Sequence, residues 1–240
     1  MAGMSIQPAA LAKSLNADYA ALPSLELLDV TVNKVFKNKI ALVSSFGTEA
    51  ALLLSMAAEI NPATPVIFLD TLKHFPETLE YRDKIIALLK LTDVRIVKPE
   101  PSAVKSAGEL WKTNPDGCCH IRKVLPLEEA LTGFEAWING RKRIHGGLRA
   151  DLDVIEYDGR RIKVNALAGW TQEQIDAEWE KRALPEHPLV PFGYTSVGCM
   201  PCTVLPKPGE GARSGRWAEF AKQECGIHIG KKWDDFDTGL

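Results

Sequence analysis

Lys39-Ile-Ala-Leu-Val43 runs directly into Ser44-Ser45-Phe46-Gly47-Thr48-Glu49 and then into an apolar stretch ending at Ile60. The unbroken apolar run predicts a strand buried on both faces, the Gly47 turn ends it, and Glu49 to Ile60 suits a helix. The same pattern repeats downstream. Pro65 to Leu69 (PVIFL) reads as a second strand closed by Asp70-Thr71, Pro76 to Leu91 as a second helix, and Val94 to Val97 as a third strand. Glu135 to Asn139 reads as a fourth. Strand and helix in alternation imply an α/β fold: a mostly parallel sheet, right-handed crossovers, helices on both faces.

Before this core, residues 5 to 38 carry Leu11, Leu15, Tyr19, Leu22, Leu25 and Leu28 at near-helical spacing. After it, Val154–Tyr157 and Arg161–Val164 flank Asp158-Gly159, a hairpin signal. Thr171 with Gln174 forms a capping box that opens a helix through Arg182. From Pro185 the chain is rich in proline and glycine and reads as a loop, followed by a short helix near Gly215 to Gln223 and a polar, mobile C-terminal tail. Three regions result: an N-terminal helical segment (1–38), an α/β domain (39–210) and a C-terminal segment (211–240).

The 240 residues are 45% hydrophobic, enough for a large single core, and the net charge of −2 gives no general attraction to nucleic acid or membrane surface. Basic residues cluster locally, at Arg141-Lys142-Arg143, Arg160-Arg161 and Lys207 to Arg216, a pattern suited to a small anionic ligand. Met1 to Leu15 lacks the pattern of a signal peptide, and no apolar run approaches the roughly 20 residues of a membrane span. A cytoplasmic protein is expected, whose thiols stay reduced and serve metal binding or catalysis.

Open α/β sheets bind ligands beyond the carboxyl ends of their strands. Ser44, Ser45, Phe46 and Gly47 lie at such an end and lead into a helix, whose free N–H groups favour phosphate or sulfate. The loop lacks the Gly-Lys-Ser/Thr of a Walker A motif, and an ordinary strand–helix turn with a serine N-cap fits equally well. Asp70 occupies the next strand's end, as a ribose-binding carboxylate or as a helix cap.

Five cysteines comprise an adjacent pair, Cys118-Cys119, a C-x-x-C pair, Cys199 and Cys202, and a single Cys225. Four thiolates in two pairs suit a metal cage. Zinc sites usually draw on two spaced pairs, whereas adjacent side chains on a helix diverge by about 100°. That divergence favours a larger iron–sulfur cluster over a single ion. Chance burial of the adjacent pair beside a redox C-x-x-C remains an alternative. Arg122 and Lys123 could balance a negative cluster or form a solvated helix face, and His120 reads as a neighbour of the cage. Cys225, with Gly226 and His228 close by, reads as a reactive thiol that His228 could hold as thiolate, or as an incidental exposed cysteine.

From Lys39 to His228 the chain resembles the assimilatory sulfonucleotide reductases, in particular their iron–sulfur, adenylyl-sulfate-reducing branch. The resemblance rests on S-S-F-G-T-E (44–49), L-D-T (69–71) with F-P-E-T (75–78), C-C-H-I-R-K (118–123) and H-P-L (187–189). It continues through G-Y-T-S-V-G-C-M-P-C-T (193–203), R-S-G-R-W (213–217) and E-C-G-I-H (224–228). It implies a fold of the adenine-nucleotide α-hydrolase (PP-loop) type and one [4Fe-4S] cluster per subunit on Cys118, Cys119, Cys199 and Cys202. It implies that Cys225 attacks the sulfonucleotide, releasing AMP and leaving an S-sulfocysteine that reduced thioredoxin or glutaredoxin resolves to sulfite. By the family motif, Lys123, Arg213 and Arg216 would offset the charge of the substrate, and Arg141, Lys142, Arg143 and Arg149 would line the nucleotide site. Sulfate assimilation toward cysteine, and homodimers or homotetramers, are the implied setting.

Three departures stand out. Leu72 follows L-D-T where the family usually has glycine, Lys142 stands within a stretch that usually reads G-x-R-R-x-Q, and twelve residues follow His228. The competing readings are the same reaction on the 3′-phosphorylated nucleotide PAPS, a PP-loop ATP pyrophosphatase, and a zinc-stabilised binding module. Against the pyrophosphatase, the loop lacks that group's Asp-Ser ending.

Overall fold

The computed structural model describes residues 7–229; residues 5 and 6 of the expected N-terminal helical stretch, and all of the C-terminal extension after Ile229, lie outside them. Helices α1 (Pro8–Tyr19) and α2 (Ser24–Asp29), the latter continuing into a π-helical turn, send Leu15, Leu27, Leu28 and Val32 into the main core. Asn16 accepts a hydrogen bond from the Ile155 backbone at 2.8 Å, and Ser24 donates to the Ala166 carbonyl at 2.6 Å, tying this segment to positions more than 130 residues downstream.

The sheet begins with β1 (Ile40–Val43), α3 (Ala50–Ile60), β2 (Val66–Leu69), α4 (Pro76–Leu89) and β3 (Val94–Val97). Three short helices follow, α5 (Pro101–Ala107), α6 (Pro115–Cys119) and α7 (Leu125–Ala130), then β4 (Ala136–Ile138), β5 (Ile155–Tyr157), β6 (Ile162–Val164) and α8 (Gln172–Lys181). Helices α5 to α7 escape sequence periodicity because each is too short to repeat an apolar face. The strand order is β3-β2-β1-β4-β6-β5, parallel throughout except for the β5–β6 hairpin.

The residues of β1 show why its sequence is wholly apolar. Ile40 and Leu42 enter the core beneath α3, while Ala41 and Val43 enter a second core with Leu127, Leu131 and Trp137. Both faces are therefore covered by helices. Helix α4 stops two residues before Leu91, because Lys90 turns left-handed (φ 51°) and the Leu91 amide reaches back to Ile86. The Thr171–Gln174 capping box is present as expected.

The helix expected near Gly215 to Gln223 does not form. The Val204 amide donates to Gly215, the Trp217 amide donates to Cys202, and Trp217 takes φ 51°. These backbone groups stitch the segment to the C-x-x-C loop and so are withheld from a helix.

His187 is wholly buried. Its Nδ1 accepts from the Leu189 amide at 3.2 Å, so Nε2 carries the proton and donates to Thr78 Oγ1 at 3.1 Å. Burial holds this imidazole down to about 4, and burial does the same to His74. Below pH 6.5 the unfolded chain takes up protons that the folded chain refuses until about pH 4. Stability is therefore complete above pH 6.5 and lost as pH falls through that window, by on the order of 2 kcal/mol per histidine at pH 5. Urea unfolding at pH 7.5 and pH 5 should show this decline, and a flat profile would contradict it.

Candidate active site

Strand order reverses at β1 and β4: the chain runs outward through β2 and β3, then returns to β1's other side. A crevice opens there at the strands' carboxyl ends, between the turn after β1 and the segment after β4. Ser44, Ser45 and Gly47 line it. Ser44 Oγ accepts from the Phe46 amide at 3.2 Å and staples the turn, whereas Ser45 is exposed. Phe46 points the other way. It adopts φ 48° and packs edge-on against Phe68 with ring centres 5.6 Å apart, so core packing holds the turn in a strained shape.

Asp70 and Arg143 also fall outside the crevice lining. Asp70 Oδ1 accepts from the Leu72 amide at 3.0 Å, closing a turn in which Leu72 has φ 59°. Leucine thus adopts a left-handed geometry that glycine, the family's usual residue here, could take at no steric cost. Arg143 donates to the Leu152 carbonyl at 2.8 Å and braces the neighbouring loop.

Arg141, Lys142 and Arg149 line the crevice from the β4 side. Arg141 pairs with Glu156 and is hydrogen-bonded to Asn139 and Asn165, which makes it part of the floor. Lys142 donates to Glu49 Oε2 at 2.7 Å, and His145 Nε2 lies 3.4 Å from the same oxygen. Burial alone would raise the Glu49 carboxyl; the bonds from His145 and Lys142 prevail and bring it to about 2. Arg149 donates to His145 Nδ1 at 3.2 Å and forms a two-pronged pair with Glu224, at 2.5 and 2.8 Å. Glu49, His145 and Glu224 were not singled out from the sequence. The signal available was acidic and imidazole residues inside otherwise basic motifs, which would need charge partners once buried.

Arg213 and Arg216 enter from the C-terminal side, both stacked on Trp217. Burial, then the charge of Arg149, lowers Arg213 to about 10 despite Glu224. Arg216 Nη1 lies 3.4 Å from Ser196 Oγ, and its buried Nε has no partner. Close backbone approach makes this geometry: a Cβ on Gly198 would overlap the Arg216 guanidinium, and one on Gly215 would overlap the Val204 carbonyl. A guanidinium can swing aside; a backbone carbonyl cannot. Gly215→Ala should therefore displace both arginines and cost about 1–3 kcal/mol of stability. Thermal denaturation together with nucleotide titration would check this, and unchanged binding would contradict it.

Cys225 and His228 also line the crevice. Lys123 reaches it from the π-helical turn His120–Val124, directly after the adjacent cysteines. A hydrogen bond from Cys119 lowers the Cys225 thiol well below the ordinary cysteine range; burial opposes this, and the charge of Lys123 assists it. His228 stacks on Trp137, centres 5.6 Å apart and nearly coplanar at 8°. Burial and the surrounding cations keep this imidazole neutral, so it lends Cys225 no charge.

The other four cysteines line an adjoining cavity together with Lys73, Trp111, Arg122 and Lys123. Lys123 alone among the basic residues borders both spaces. Arg122 is buried, donates to the Thr71 carbonyl at 2.9 Å, and leaves its Nε without a partner. Thr71 Oγ1 lies 3.2 Å from Cys199 Sγ. His120, next in sequence to Cys119, is half-buried and outside the lining of this cavity.

Residues 39–205 match the phosphoadenosine phosphosulfate reductase domain. The chain belongs to that family. An adenosine 5′-phosphosulfate reductase of Mesorhizobium japonicum is 49% identical over 92% of this chain and 88% of its own length. A phosphoadenosine 5′-phosphosulfate reductase of Gloeobacter violaceus is 41% identical over 81% and 84% respectively. Among solved structures, the phosphate complex of phosphoadenylyl-sulfate reductase from Candida auris superposes with a TM-score of 0.69. It is 29% identical and spans 80% of this chain and 96% of its own. An FMN adenylyltransferase from Candida glabrata (TM-score 0.54, 16% identity, 84% of this chain and 72% of its own) shares the fold of this family member. No helix among the described residues is long and apolar enough to cross a membrane.

Proposed function

We propose that this family member reduces adenylyl sulfate to sulfite and AMP, with Cys225 as the nucleophile and a dithiol protein of the thioredoxin or glutaredoxin type as reductant. The carrying observation is that one thiol, Cys225, borders a crevice rimmed by Lys123, Arg149, Arg213 and Arg216 at the sheet's switch point. A thiolate there attacks the sulfonate sulfur. A sulfur–sulfur bond forms, the sulfur–oxygen bond breaks, and AMP leaves with the electron pair. The cations offset the repulsion between thiolate and anionic substrate and receive the charge that develops on the leaving phosphate. A reductant thiolate then attacks Cys225 Sγ, expelling sulfite, and its second thiol resolves the mixed disulfide.

Cys118, Cys119, Cys199 and Cys202 would hold a [4Fe-4S] cluster. The fit rests on four sulfurs around one cavity and on the unpartnered, buried Arg122 Nε beside them, a donor to which sulfide or thiolate would be the acceptor. A single zinc is less well served, because Cys118 and Cys119 are adjacent on α6 and their side chains diverge by about 100° around the helix. The cluster supplies charge and a rigid cage. The two thiols of the reductant supply both electrons. With Cys119 given to iron, Lys123 becomes the chief group that favours the Cys225 thiolate.

The Gloeobacter relative and the Candida auris structure, both PAPS reductases by name, favour a second reading in which the substrate is PAPS. Adenylyl sulfate is preferred because the relative at 49% identity, which matches more of the chain, carries that name. The deciding experiment compares kcat/KM for the two nucleotides on anaerobically purified protein with thioredoxin. Iron and sulfide are counted on the same sample. A preference for PAPS would overturn the choice of substrate, and zinc without iron or sulfide would overturn the cluster.

A further inference from the structure

The residue before the nucleophile is a buried carboxylate that accepts three hydrogen bonds. Glu224 is 4% exposed. Arg149 grips both of its oxygens, Nε to Oε2 at 2.5 Å and Nη2 to Oε1 at 2.8 Å. The same Oε1 accepts from the backbone amide of Cys225 at 2.8 Å, and Arg213 stands 3.7 Å away. Arg149 in turn donates to His145, which faces Glu49 at the start of α3. A continuous polar chain therefore links Glu49, beside the turn after β1, to the backbone of Cys225.

We propose that Glu224 is a positioning residue: its fork with Arg149 latches the Cys225 segment into the crevice, and opening of that fork frees the thiol for the reductant. The proposal rests on Cys225 being the nucleophile of the reaction above. The chemistry demands such a device, because one sulfur must meet first a nucleotide deep in the crevice and then the active site of another protein. A reversible ion pair suits the task better than apolar packing. Its net contribution to stability is small, because desolvation offsets attraction, yet its geometry is specific. The anionic substrate also competes for Arg149 and Arg213, so binding and latching are coupled through shared cations. Lys222 with Asp116, Ile227 on the second core and His228 on Trp137 hold the flanks of the segment, the Cys225 carbonyl accepts from the His228 amide within the same turn, and the Cys225 amide is held by Glu224.

Glu224→Gln keeps the size of the side chain and removes the charge, and Glu224→Asp keeps the charge on a shorter arm. Three measurements apply to each: alkylation of Cys225 by iodoacetamide without substrate, single-turnover sulfonation of Cys225 read by mass spectrometry, and release of sulfite by thioredoxin from pre-sulfonated enzyme. For Glu224→Gln, alkylation should rise about 10-fold and sulfonation fall about 100-fold, the penalty expected for a thiol misplaced by about an ångström. Sulfite release should hold or quicken, and Glu224→Asp should recover part of the sulfonation rate. A merely structural role would slow both chemical stages together, with loss of bound iron, and that result overturns the latch. Unchanged alkylation overturns it too. If wild-type enzyme never carries a sulfonate on Cys225, the proposed reaction fails instead, and the alkylation comparison alone decides the latch.

Discussion

Cys225→Ser should lower steady-state sulfite release by at least about 10³-fold while the nucleotide still binds and the iron content is unchanged. Two separate barriers produce so large an effect. The first is ionisation: a serine hydroxyl stays protonated beside Lys123, where a cysteine becomes thiolate. The second lies in the product. A sulfonate carried on serine would be a sulfate ester, whose enzyme-side oxygen offers a reductant thiol no sulfur to attack, so the cycle would stop after one turnover. Folding should hardly notice, because the two side chains are near-isosteric and Cys225 lies outside both apolar core clusters. Sulfite release measured alongside AMP titration and iron analysis checks the expectation. Retained turnover would remove Cys225 from the mechanism.

The parts of this molecule legible in sequence are those where chemistry is local. An apolar tetrad between turns can hardly be other than a doubly buried strand, and β1 is one. Adjacent cysteines followed at a distance by C-x-x-C mark a shared cavity because thiols have few other reasons to pair. What sequence hid was charge pairing over long separations. Glu49 meets Lys142 across 93 positions and Glu224 meets Arg149 across 75, and no local pattern announces either partnership. The Gly215 segment misled for a related reason. Its composition tolerates a helix, but its amides and carbonyls are claimed by Cys202 and Val204, a contact made only after folding. Phe46 was assigned to the crevice by its place in the motif, and the backbone twist that sends its ring into the core has no sequence signature beyond that motif.

Lys123→Ala should reduce kcat/KM by about 10²–10³-fold, the loss typical of one preorganised charge aimed at a developing anion. Its position makes the effect larger than that of any neighbouring arginine. Burial by itself would lower the Lys123 ammonium, but the sulfurs of Cys199, Cys225 and Cys119 raise it above its ordinary value, so the charge persists at every physiological pH. One cation thus faces both the four-cysteine cavity and Cys225, and the arginines on Trp217 reach the crevice alone. Without the Lys123 charge the Cys225 thiol should move up, because burial then acts on it with one opposing cation fewer. The sign follows directly. The activity of the variant should therefore rise with pH over a higher range than that of the wild type, because the lysine's charge favours the thiolate. On the proposed [4Fe-4S] occupancy, iron and sulfide should stay bound, since all four cysteines remain, while the visible absorption or paramagnetic spectrum should shift with the lost charge. A variant with wild-type pH dependence would show that the thiolate does not depend on this lysine. A variant stripped of iron would show instead that Lys123 works mainly by holding the cage together.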